Sequence, residues 1–390
     1  MNFWGITGTN GKTTTTWIFA EFLNALAHRK CGYITTVEVF DGVKRFYTGY
    51  TTPPLAQLKE IYAAMEQNGC TDCVMEVSSH AILQHRTGDT VFAGGIFTNL
   101  SEDHLDYHQT MEAYFDVKLD FARQIAAAHR TTPAMGRKDL PPYIVCLDGD
   151  YGKAMFNAVG NLALNVIGVS NTKRTSSFDL SQLQLVGSYN RSNVLCAAAL
   201  AEAAGVAREV IQAVIPTLKP RWGRLEEVKS KSEKVKCRVF VDFAHTPDGL
   251  EKVLAAVRTE MCRESTNSLW VVFGAGGDRD TMKRPLMGAA CARLADRLVV
   301  TSDNPRSEEP LKIIDAILGG IKQTLEPAKF SERVFIEPDR AKAIAYALVN
   351  ASAGDVVVIA GKGHETTQEI KGVKYPFDDR EIVRDFGIGI

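Results

Sequence analysis

The glycine-rich loop that begins at Gly8 constrains the fold of this chain more than any other segment. Its sequence is Gly-Thr-Asn-Gly-Lys-Thr-Thr, and it follows the strand-like run from Phe3 to Ile6. A helix-like run from Thr15 to Ala27 comes directly after it. A strand, a glycine loop and a helix in this order predict a phosphate-binding loop.

The residue types in this loop suit a nucleoside triphosphate. Glycines let backbone N–H groups face phosphate oxygens, and the start of the following helix favours an anion. Lys12 can reach the outer phosphates, and the Thr13 hydroxyl can bind magnesium. The residues expected to bind ATP are Gly8, Thr9, Asn10, Gly11, Lys12, Thr13 and Thr14. Because Ile6 stands where the general motif has its first glycine, a purely structural glycine turn is the alternative.

The length of the chain and its alternating pattern predict two α/β domains. A chain of 390 residues is too long for one ordinary core. Short Val- and Ile-rich runs alternate with helical stretches, which predicts parallel sheets covered by helices. The expected strands are 72–77, 91–97 and 143–147 in a first series, then 238–242, 269–273, 297–301 and 355–360 in a second.

These two series define the predicted fold class. It is a P-loop central domain with a mostly parallel sheet, followed by a C-terminal Rossmann-like domain. An alanine-rich helix is expected from Asn193 to Ala204, and Pro220 and Gly223 then interrupt the pattern. We therefore place the boundary near Arg221, with domains 1–221 and 222–390.

Composition excludes some classes of partner and compartment. Hydrophobic residues make up 45% of the chain, charged residues 23%, and the formal net charge is -1. This balance implies no nucleic-acid or membrane partner. No basic leader or apolar run of membrane-spanning length is present, so we expect a cytoplasmic protein. The eight cysteines are scattered, and we expect reduced thiols; a redox or metal role for the pair Cys70 and Cys73 is the alternative.

Two polar segments that follow strands suggest a metal site. Glu76 ends an apolar strand, at the edge of a parallel sheet where ligands usually bind, and metal ligation is its expected role. Capping of the following helix is the alternative. His104 and His108 have the i, i+4 spacing of a zinc helix, but Asp103 precedes His104 and no Glu follows it, so the metalloprotease motif is absent. We interpret His104 as a single magnesium ligand.

Together these segments resemble a known family. The segments 8–14, 76–80 and 103–106, extended by 111–118, resemble the Mur ligases, in particular the members that add diaminopimelate to the peptidoglycan stem. The resemblance runs from the first residues to Arg380 and is weaker from about Ile125 to Val186. It implies an ATP-dependent carboxylate–amine ligase that forms an acyl phosphate. ATP and two magnesium ions are the implied cofactors, and small molecules and peptides the implied substrates.

The resemblance assigns a chemical role to Lys118. By position, Lys118 matches the lysine that is carbamylated in this family. A carbamate could hold a second magnesium beside His104 and Glu76, whereas a free ammonium would repel it. The implied metal ligands are Thr13, Glu76, His104 and carbamylated Lys118, and the implied catalytic residues are Lys12, Glu76, His104 and Lys118. Taken by itself, Lys118 would be interpreted as a surface lysine.

Two further sets of contacts are implied by the resemblance. The acceptor contacts are Thr51, Thr52, Ser78, Gln84 and Arg86. Arg86 suits a carboxylate or pyrophosphate because its fork binds two oxygens at once. In the second domain, Asp242 and His245 are expected to lie over the nucleotide when that domain closes, although His245 could equally be a hydrogen-bonded loop histidine.

The signal for the amino-acid substrate is Asp-Asn-Pro-Arg at a strand end. Arg306 offers a bidentate anchor for the distal carboxylate of diaminopimelate, which lysine lacks. The implied amino-acid contacts are Arg279, Asp303, Asn304, Pro305, Arg306, Gly361 and Glu365. A tight turn with a helix cap could also explain 303–306. The glycines at 274–280 lack the dinucleotide-binding register, so we expect no nicotinamide role.

Departures from the family leave the acceptor open. Family members carry an N-terminal domain for the UDP end of the acceptor, whereas here the phosphate loop follows Met1 closely and Tyr50 replaces an Asn. The chain is either an excised or truncated enzyme or a stand-alone ligase for a free peptide or γ-glutamyl compound. A separate protein could supply acceptor binding.

Two other functions stay open at this point. One is a folylpolyglutamate-type ligase, against which 303–306 and 361–365 argue. The other is a non-catalytic nucleotide-binding partner, which would not need the predicted metal ligands.

Overall fold

The computed structural model describes residues 1–131, 140–172, 178–262 and 267–387. They form two compact units, Met1–Leu218 and Lys219–Ile390. Each unit has a mostly parallel sheet with helices, so the predicted α/β class is confirmed. The assignment of the two predicted domains to residues 1–221 and 222–390 stays a prediction.

The N-terminal unit is built around eight strands. Its elements are, in chain order, β1 (Asn2–Thr7), α1 (Lys12–Asn24), β2 (Cys31–Ile34), β3 (Val39–Phe40), β4 (Arg45–Phe46), α2 (Leu55–Gln67), β5 (Asp72–Glu76), α3 (Ser79–Leu83), β6 (Phe92–Phe97), α4 (Leu105–His108), α5 (Met111–Thr131), β7 (Pro142–Cys146), α6 (Asp150–Val159), β8 (Asn165–Val169), α7 (Ser188–Ala203), α8 (Arg208–Val214) and a 3-10 turn, Ile215–Thr217.

The sheet of this unit brings three strand ends together. Its order is β4-β3-β2-β5-β1-β6-β7-β8; the pairs β2–β3 and β3–β4 are antiparallel, and the other pairs are parallel. β1 lies between β5 and β6, with Ile6 opposite Glu76 and Thr7 opposite Phe97. All three strands are apolar and largely buried, as expected for a sheet covered on both faces. The loops after β1, β5 and β6 therefore lie at one edge of the sheet, where ligands of such folds bind.

The C-terminal unit has a second sheet of six strands. Its elements are β9 (Glu226–Glu227), β10 (Arg238–Asp242), α9 (Pro247–Glu260), β11 (Leu269–Phe273), α10 (Lys283–Leu294), β12 (Arg297–Val300), α11 (Pro310–Thr324), α12 (Pro327–Arg333), β13 (Val334–Ile336), α13 (Arg340–Asn350), β14 (Val356–Ala360), β15 (Thr367–Ile370), β16 (Val373–Pro376) and α14 (Asp379–Arg384).

The second sheet places four loops at its carboxyl edge. Its order is β13-β12-β11-β14-β10-β9, parallel except for β9, while β15 and β16 form a separate hairpin. The residues that the sequence assigns to this unit lie at the end of β10 and in the loops after β10, β11, β12 and β14. Within the described ranges, no helix is both long and apolar enough to cross a membrane.

Candidate active site

The phosphate loop connects β1 to α1 and leaves no room for side chains at two positions. Gly8 has φ +148°, and a Cβ there would lie 1.9 Å from Thr98 Oγ1. Gly11 has φ +82°, and a Cβ there would lie 2.4 Å from Asn193 Oδ1. Gly11 also precedes α1 and makes no side-chain cap, and the start of a helix favours an anion.

Residues after β6 hold this loop in place. Thr98 Oγ1 donates to the Asn10 carbonyl at 2.7 Å, and the Asn10 N–H donates to Asn99 Oδ1 at 2.9 Å. The Thr9 N–H donates to the Asn99 carbonyl at 3.0 Å. Sequence reasoning assigned no role to Thr98, Asn99 or Asn193. A Thr-Asn pair directly after a strand was the available signal for the first two.

Two lysines meet at one carbonyl of the phosphate loop. Lys12 Nζ donates to the carbonyls of Gly8 at 3.0 Å and Thr9 at 2.8 Å. Lys118 Nζ, from α5, donates to the same Gly8 carbonyl at 2.9 Å. Lys118 is only 1% exposed, so the surface-lysine interpretation is wrong. Burial and the nearby Lys12 ammonium hold the pKa of Lys118 well below its ordinary value. A neutral amine is the form that can react with carbon dioxide.

Glu76 lies beside the start of α1. Its Oε1 accepts from Thr13 Oγ1 at 2.7 Å and from the Thr36 N–H at 2.8 Å. The interpretation of Glu76 as a helix cap is wrong, because Ser78 Oγ caps α3 by accepting from the Ala81 N–H. Thr36, which sequence reasoning missed, follows the short strand β2.

The carboxylate of Glu76 and the hydroxyl of Thr13 fit a magnesium ion. Magnesium is usually held by one or two carboxylates together with phosphate oxygens and water rather than by a protein cage. The described part of the chain contains no group of three or more His, Cys, Asp or Glu side chains that could hold a metal alone. The donor set therefore suits an ion that arrives with a nucleotide.

The two histidines around α4 lie in different surroundings. His104 has φ +56°, its side chain is 46% exposed, and its Nε2 lies 3.5 Å from Asp103 Oδ2. His108 is buried, with Nε2 2.8 Å from Ser79 Oγ. Burial, His80 and Lys118 lower the pKa of His108 to about 4. The i, i+4 spacing therefore does not create a shared metal site here.

Tyr114 connects these groups, and sequence reasoning missed it. Its hydroxyl lies 3.2 Å from Thr9 Oγ1, and its ring lies 4.8 Å from Lys118 Nζ. The rings of His104 and His108 are 6.4 Å and 4.6 Å from the Tyr114 ring, respectively. The structure thus brings His104 and Lys118 to one buried tyrosine beside the phosphate loop.

The predicted acceptor residues Thr51, Thr52 and Ser78 lie next to Glu76. Thr52 Oγ1 donates to the Glu76 carbonyl at 2.8 Å and accepts from the Ser78 N–H at 3.1 Å. The Thr36 hydroxyl lies 3.0 Å from Thr51 Oγ1 and 3.1 Å from Glu76 Oε2. These side chains therefore form one hydrogen-bonded group with the candidate magnesium ligand.

Arg86 and Gln84 extend this group. Arg86 Nη1 donates to the Thr52 carbonyl at 2.8 Å, while Nε and Nη2 donate to Gln84 Oε1 at 2.9 and 2.7 Å. The guanidinium carbon lies 5.5 Å from the centre of the Tyr50 ring. Arg86 therefore contacts three residues, Thr52, Gln84 and Tyr50.

In the C-terminal unit, Asp242 and His245 contact backbone groups of the same unit. Buried Asp242 accepts from the N–H groups of Leu225 at 2.6 Å and Ala244 at 2.7 Å, and burial raises the pKa of its carboxyl group. His245 Nδ1 donates to the Phe243 carbonyl at 2.8 Å. Both side chains shape the turn after β10, and their predicted contact with ATP stays a prediction.

The predicted amino-acid residues come together from three loops. Asn304 Nδ2 donates to Glu365 Oε2 at 2.8 Å, and the Gly277 N–H donates to the Asn304 carbonyl at 2.9 Å. Gly361 has φ +114°, and a Cβ there would lie 2.4 Å from Asp303 Oδ2. The loops after β11 and β12 therefore meet through their backbones, and the loop after β14 meets the side chains of Asp303 and Asn304.

Two arginines flank this cluster. A Cβ at Gly276 would lie 3.0 Å from Arg306 Nη1 and 3.6 Å from Arg279 Cγ, so both arginines border the same glycine. Arg306 lies 3.6 Å from Glu369, and its backbone pairs with β15. Arg279 is exposed. A helix cap does not explain 303–306, because α11 begins only after Glu309.

Comparison with known proteins decides the family. Residues 6–201 match the model of the Mur ligase middle domain, and residues 223–363 match that of the Mur ligase, glutamate ligase domain. The chain belongs to the Mur ligase family. The predicted resemblance is thereby confirmed, and with it an ATP-dependent amide ligase of peptidoglycan synthesis.

Curated relatives match almost the whole chain. Proteins named UDP-N-acetylmuramoyl-L-alanyl-D-glutamate--2,6-diaminopimelate ligase from Cytophaga hutchinsonii and Aquifex aeolicus are 37% and 39% identical to it. The matches cover 98% and 99% of this chain and 76% and 77% of those proteins. The chain thus spans about three quarters of the length of these family members.

Solved structures agree with the family fold. A structure of UDP-N-acetylmuramoyl-L-alanyl-D-glutamate--2,6-diaminopimelate ligase is 32% identical, covers 98% of this chain and 77% of its own, and has a TM-score of 0.60. A Mycobacterium tuberculosis folylpolyglutamate synthase complexed with ADP is 17% identical, covers 92% and 87%, and has a TM-score of 0.62. At that identity only the fold is shared. Members of these families use ATP and generally require magnesium.

Proposed function

We propose that this Mur ligase joins meso-diaminopimelate to the D-glutamate end of a peptide acceptor, converting ATP to ADP and phosphate. The observation that carries the proposal is the amino-acid cluster of the C-terminal unit. Arg279 and Arg306 border Gly276, and Asn304 is hydrogen-bonded to Glu365. Two cations and an anion in one cluster suit a substrate that carries both carboxylate and ammonium groups. The diaminopimelate-adding relatives support the same assignment.

The proposed reaction has two steps. An oxygen of the acceptor carboxylate attacks the γ-phosphorus of ATP, the bond from that phosphorus to the bridging oxygen breaks, and ADP leaves. The amine then attacks the acyl carbon, loses a proton and displaces phosphate. Protein groups act here mainly by positioning substrates and offsetting charge.

The N-terminal unit supplies the groups for the first step. Lys12 would turn from the carbonyls of its own loop to the outer phosphates. Thr13 and Glu76 would hold one magnesium ion, and carbamylated Lys118 with His104 would hold the second. When bound, magnesium offsets the negative charge of the transferred phosphoryl group. Arg86, fixed by Thr52 and Gln84, would orient the acceptor through its anionic groups. We place this reaction in the cytosol.

Phosphate release from ATP with meso-diaminopimelate tests the proposal. UDP-muramoyl dipeptide is compared with the free dipeptide L-Ala-γ-D-Glu, and the product is identified by mass. Turnover with the UDP substrate gives the expected product, one diaminopimelate residue longer. Turnover only with the free dipeptide would show that this chain by itself does not use a UDP-linked acceptor. If a separate protein supplies acceptor binding, its addition would restore turnover with the UDP substrate. Turnover with folate and glutamate instead, or with no acceptor, would overturn the proposal.

Replacement of Arg306 by lysine tests the amino-acid contact. The variant keeps the charge but loses the bidentate fork, so we expect kcat/KM for diaminopimelate to fall about 10–100-fold, the value of one or two charge-assisted hydrogen bonds. The KM for ATP should not change, because Arg306 lies in the amino-acid cluster. Steady-state kinetics with each substrate varied in turn give both values.

The control for Arg306→Lys is Arg293→Lys on α10. The Arg293 side chain is 51% exposed and meets Glu251 at 3.5 Å, so this variant should behave like the parent protein. Equal kcat/KM values for Arg306→Lys and the parent would exclude Arg306 as the anchor.

A further inference from the structure

A fully buried lysine lies behind the amino-acid cluster. Lys362, in the loop after β14, is 0% exposed. Its Nζ donates to Glu365 Oε2 at 3.0 Å and to Asn304 Oδ1 at 3.1 Å. A buried charge is costly unless it is paired and hydrogen-bonded, so these two acceptors are what keeps the ammonium in this position.

Lys362 determines how the Asn304 amide is oriented. Asn304 Oδ1 accepts from Lys362 Nζ and, at 2.9 Å, from the Glu369 N–H. Because both neighbours are donors, the oxygen must face them, and Nδ2 is left to donate to Glu365 Oε2 at 2.8 Å. Glu365 Oε2 therefore accepts from two donors.

This arrangement leaves the other carboxylate oxygen of Glu365 available. Within the described ranges, Oε1 of Glu365 makes no hydrogen bond, and its side chain is 32% exposed. A freely rotating carboxylate would offer negative charge without direction. With Oε2 held by Lys362 and Asn304, Oε1 has a fixed direction and can accept from a cationic donor.

We propose that Lys362 is a positioning residue. It holds Glu365 so that Oε1 faces the substrate ammonium that does not form the new amide bond, the group that the proposed function already assigns to this carboxylate. This inference rests on the proposed function, which assigns diaminopimelate to the cluster. The pocket then recognises the distal end of its substrate twice, by its carboxylate at the arginines and by its ammonium at Glu365.

The experiment compares two ligands that differ by one amino group. Diaminopimelate and 2-aminopimelate both carry two carboxylates, but only diaminopimelate has the second ammonium. Calorimetric titration of the full chain with each ligand gives the ratio of their Kd values. We expect the parent protein to bind diaminopimelate at least about tenfold more tightly, as for one charge-assisted hydrogen bond. A ratio near one in the parent protein would overturn the proposal.

Two variants identify the groups responsible. Lys362→Met should weaken binding of diaminopimelate about tenfold and change the Kd for 2-aminopimelate less than twofold. The preference for diaminopimelate over 2-aminopimelate should therefore fall about tenfold. Glu365→Gln should reduce it similarly, and the double variant should match Glu365→Gln alone, because Lys362 acts through Glu365. If Lys362→Met does not fold, Glu365→Gln decides: an unchanged ratio overturns the proposal.

A matched control separates position from charge. Lys374→Met makes the same chemical change at an exposed site on β16 and should leave the ratio unchanged. An equal loss of binding for both ligands in Lys362→Met would indicate only structural damage and would overturn the positioning role. Because binding is measured without an acceptor, a failure of the proposed ligase reaction with the UDP substrate is detected separately.

Discussion

Replacement of Lys118 by methionine is expected to lower kcat about 10²–10³-fold, the usual effect of removing one charged group that stabilises a transition state. Lys118 is buried against the Gly8 carbonyl of the phosphate loop, and its depressed pKa favours the neutral amine that carbon dioxide can modify. Methionine fills a similar volume but cannot carry a carbamate. Burying unmodified Lys118 near the Lys12 ammonium requires the lysine to lose its proton or to stay charged without water, and both are costly. Because methionine avoids this cost, the variant should be at least as stable as the parent protein.

Phosphate release and urea unfolding measure the two effects of this substitution separately. In buffer freed of carbon dioxide, unfolded parent chain binds a proton at Lys118 that the folded chain does not, since its folded pKa is depressed. The free energy of unfolding should therefore rise with pH between the folded pKa and the ordinary value of 10.5, and Lys118→Met should lack this contribution. Addition of ¹³C-labelled bicarbonate should give a carbamate signal only with Lys118 present.

The control for Lys118→Met is Lys153→Met on α6. The Lys153 side chain is 58% exposed and pairs with Asp150 at the surface, so activity and stability should stay close to those of the parent protein. Activity of Lys118→Met within about tenfold of the parent would contradict a catalytic role for this lysine.

Local signals were sufficient to predict the strand–loop–helix unit around Gly8. β1 is an apolar run and the glycines mark the loop, and the structure has both where the sequence places them. The helix, expected from Thr15, begins at Lys12. The left-handed Gly11 passes directly into the first helical turn, which apolar periodicity does not detect because that turn is polar.

Several short strands could not be predicted from the sequence. β3 and β4 have two residues each, and their pairing depends on the neighbouring strand rather than on their own composition. β15 and β16 have four residues each and form a hairpin outside the main sheets. Such strands carry too little apolar pattern for a period of two to be recognised.

The side-chain contacts of the candidate site could not be predicted from the sequence either. Lys118 and Gly8 are distant in the chain, as are Thr13 and Glu76, so their contacts follow from packing of α5 and β5 around the phosphate loop. Sequence reasoning reached Lys118 only through a family resemblance. Lys362 had no such signal, since its role depends on a burial that the residue type does not suggest.

Replacement of Arg340 by methionine is expected to destabilise the C-terminal unit by about 3–5 kcal/mol, the usual cost of removing one partner of a buried ion pair. Arg340 and Asp379 are 1% and 0% exposed, and two hydrogen bonds of 2.8 and 2.7 Å join them. The substitution leaves the Asp379 carboxylate buried without its cation. Urea unfolding of the full chain, with hydrogen exchange of peptides from β12 and β14, measures the loss in this unit.

A surface pair provides the matched control. Arg238 and Glu227 also form a two-point ion pair, but their side chains are 50% and 40% exposed, so Arg238→Met should cost at most about 1 kcal/mol. If Arg340→Met also lowered the free energy of unfolding by at most about 1 kcal/mol, Asp379 would have found water or another partner, and the expectation would be contradicted.

The double variant Arg340→Met with Asp379→Leu separates the ion pair from a second role of Arg340. Its guanidinium also donates to the carbonyls of Ser302 at 3.3 Å and Ala360 at 3.0 Å, which directly precede Asp303 and Gly361 of the amino-acid cluster. Removing both charges should recover part of the stability, but not all, because these carbonyls lose a donor. Diaminopimelate binding should stay weakened in the double variant, since the loops that carry the cluster are no longer held together at their bases.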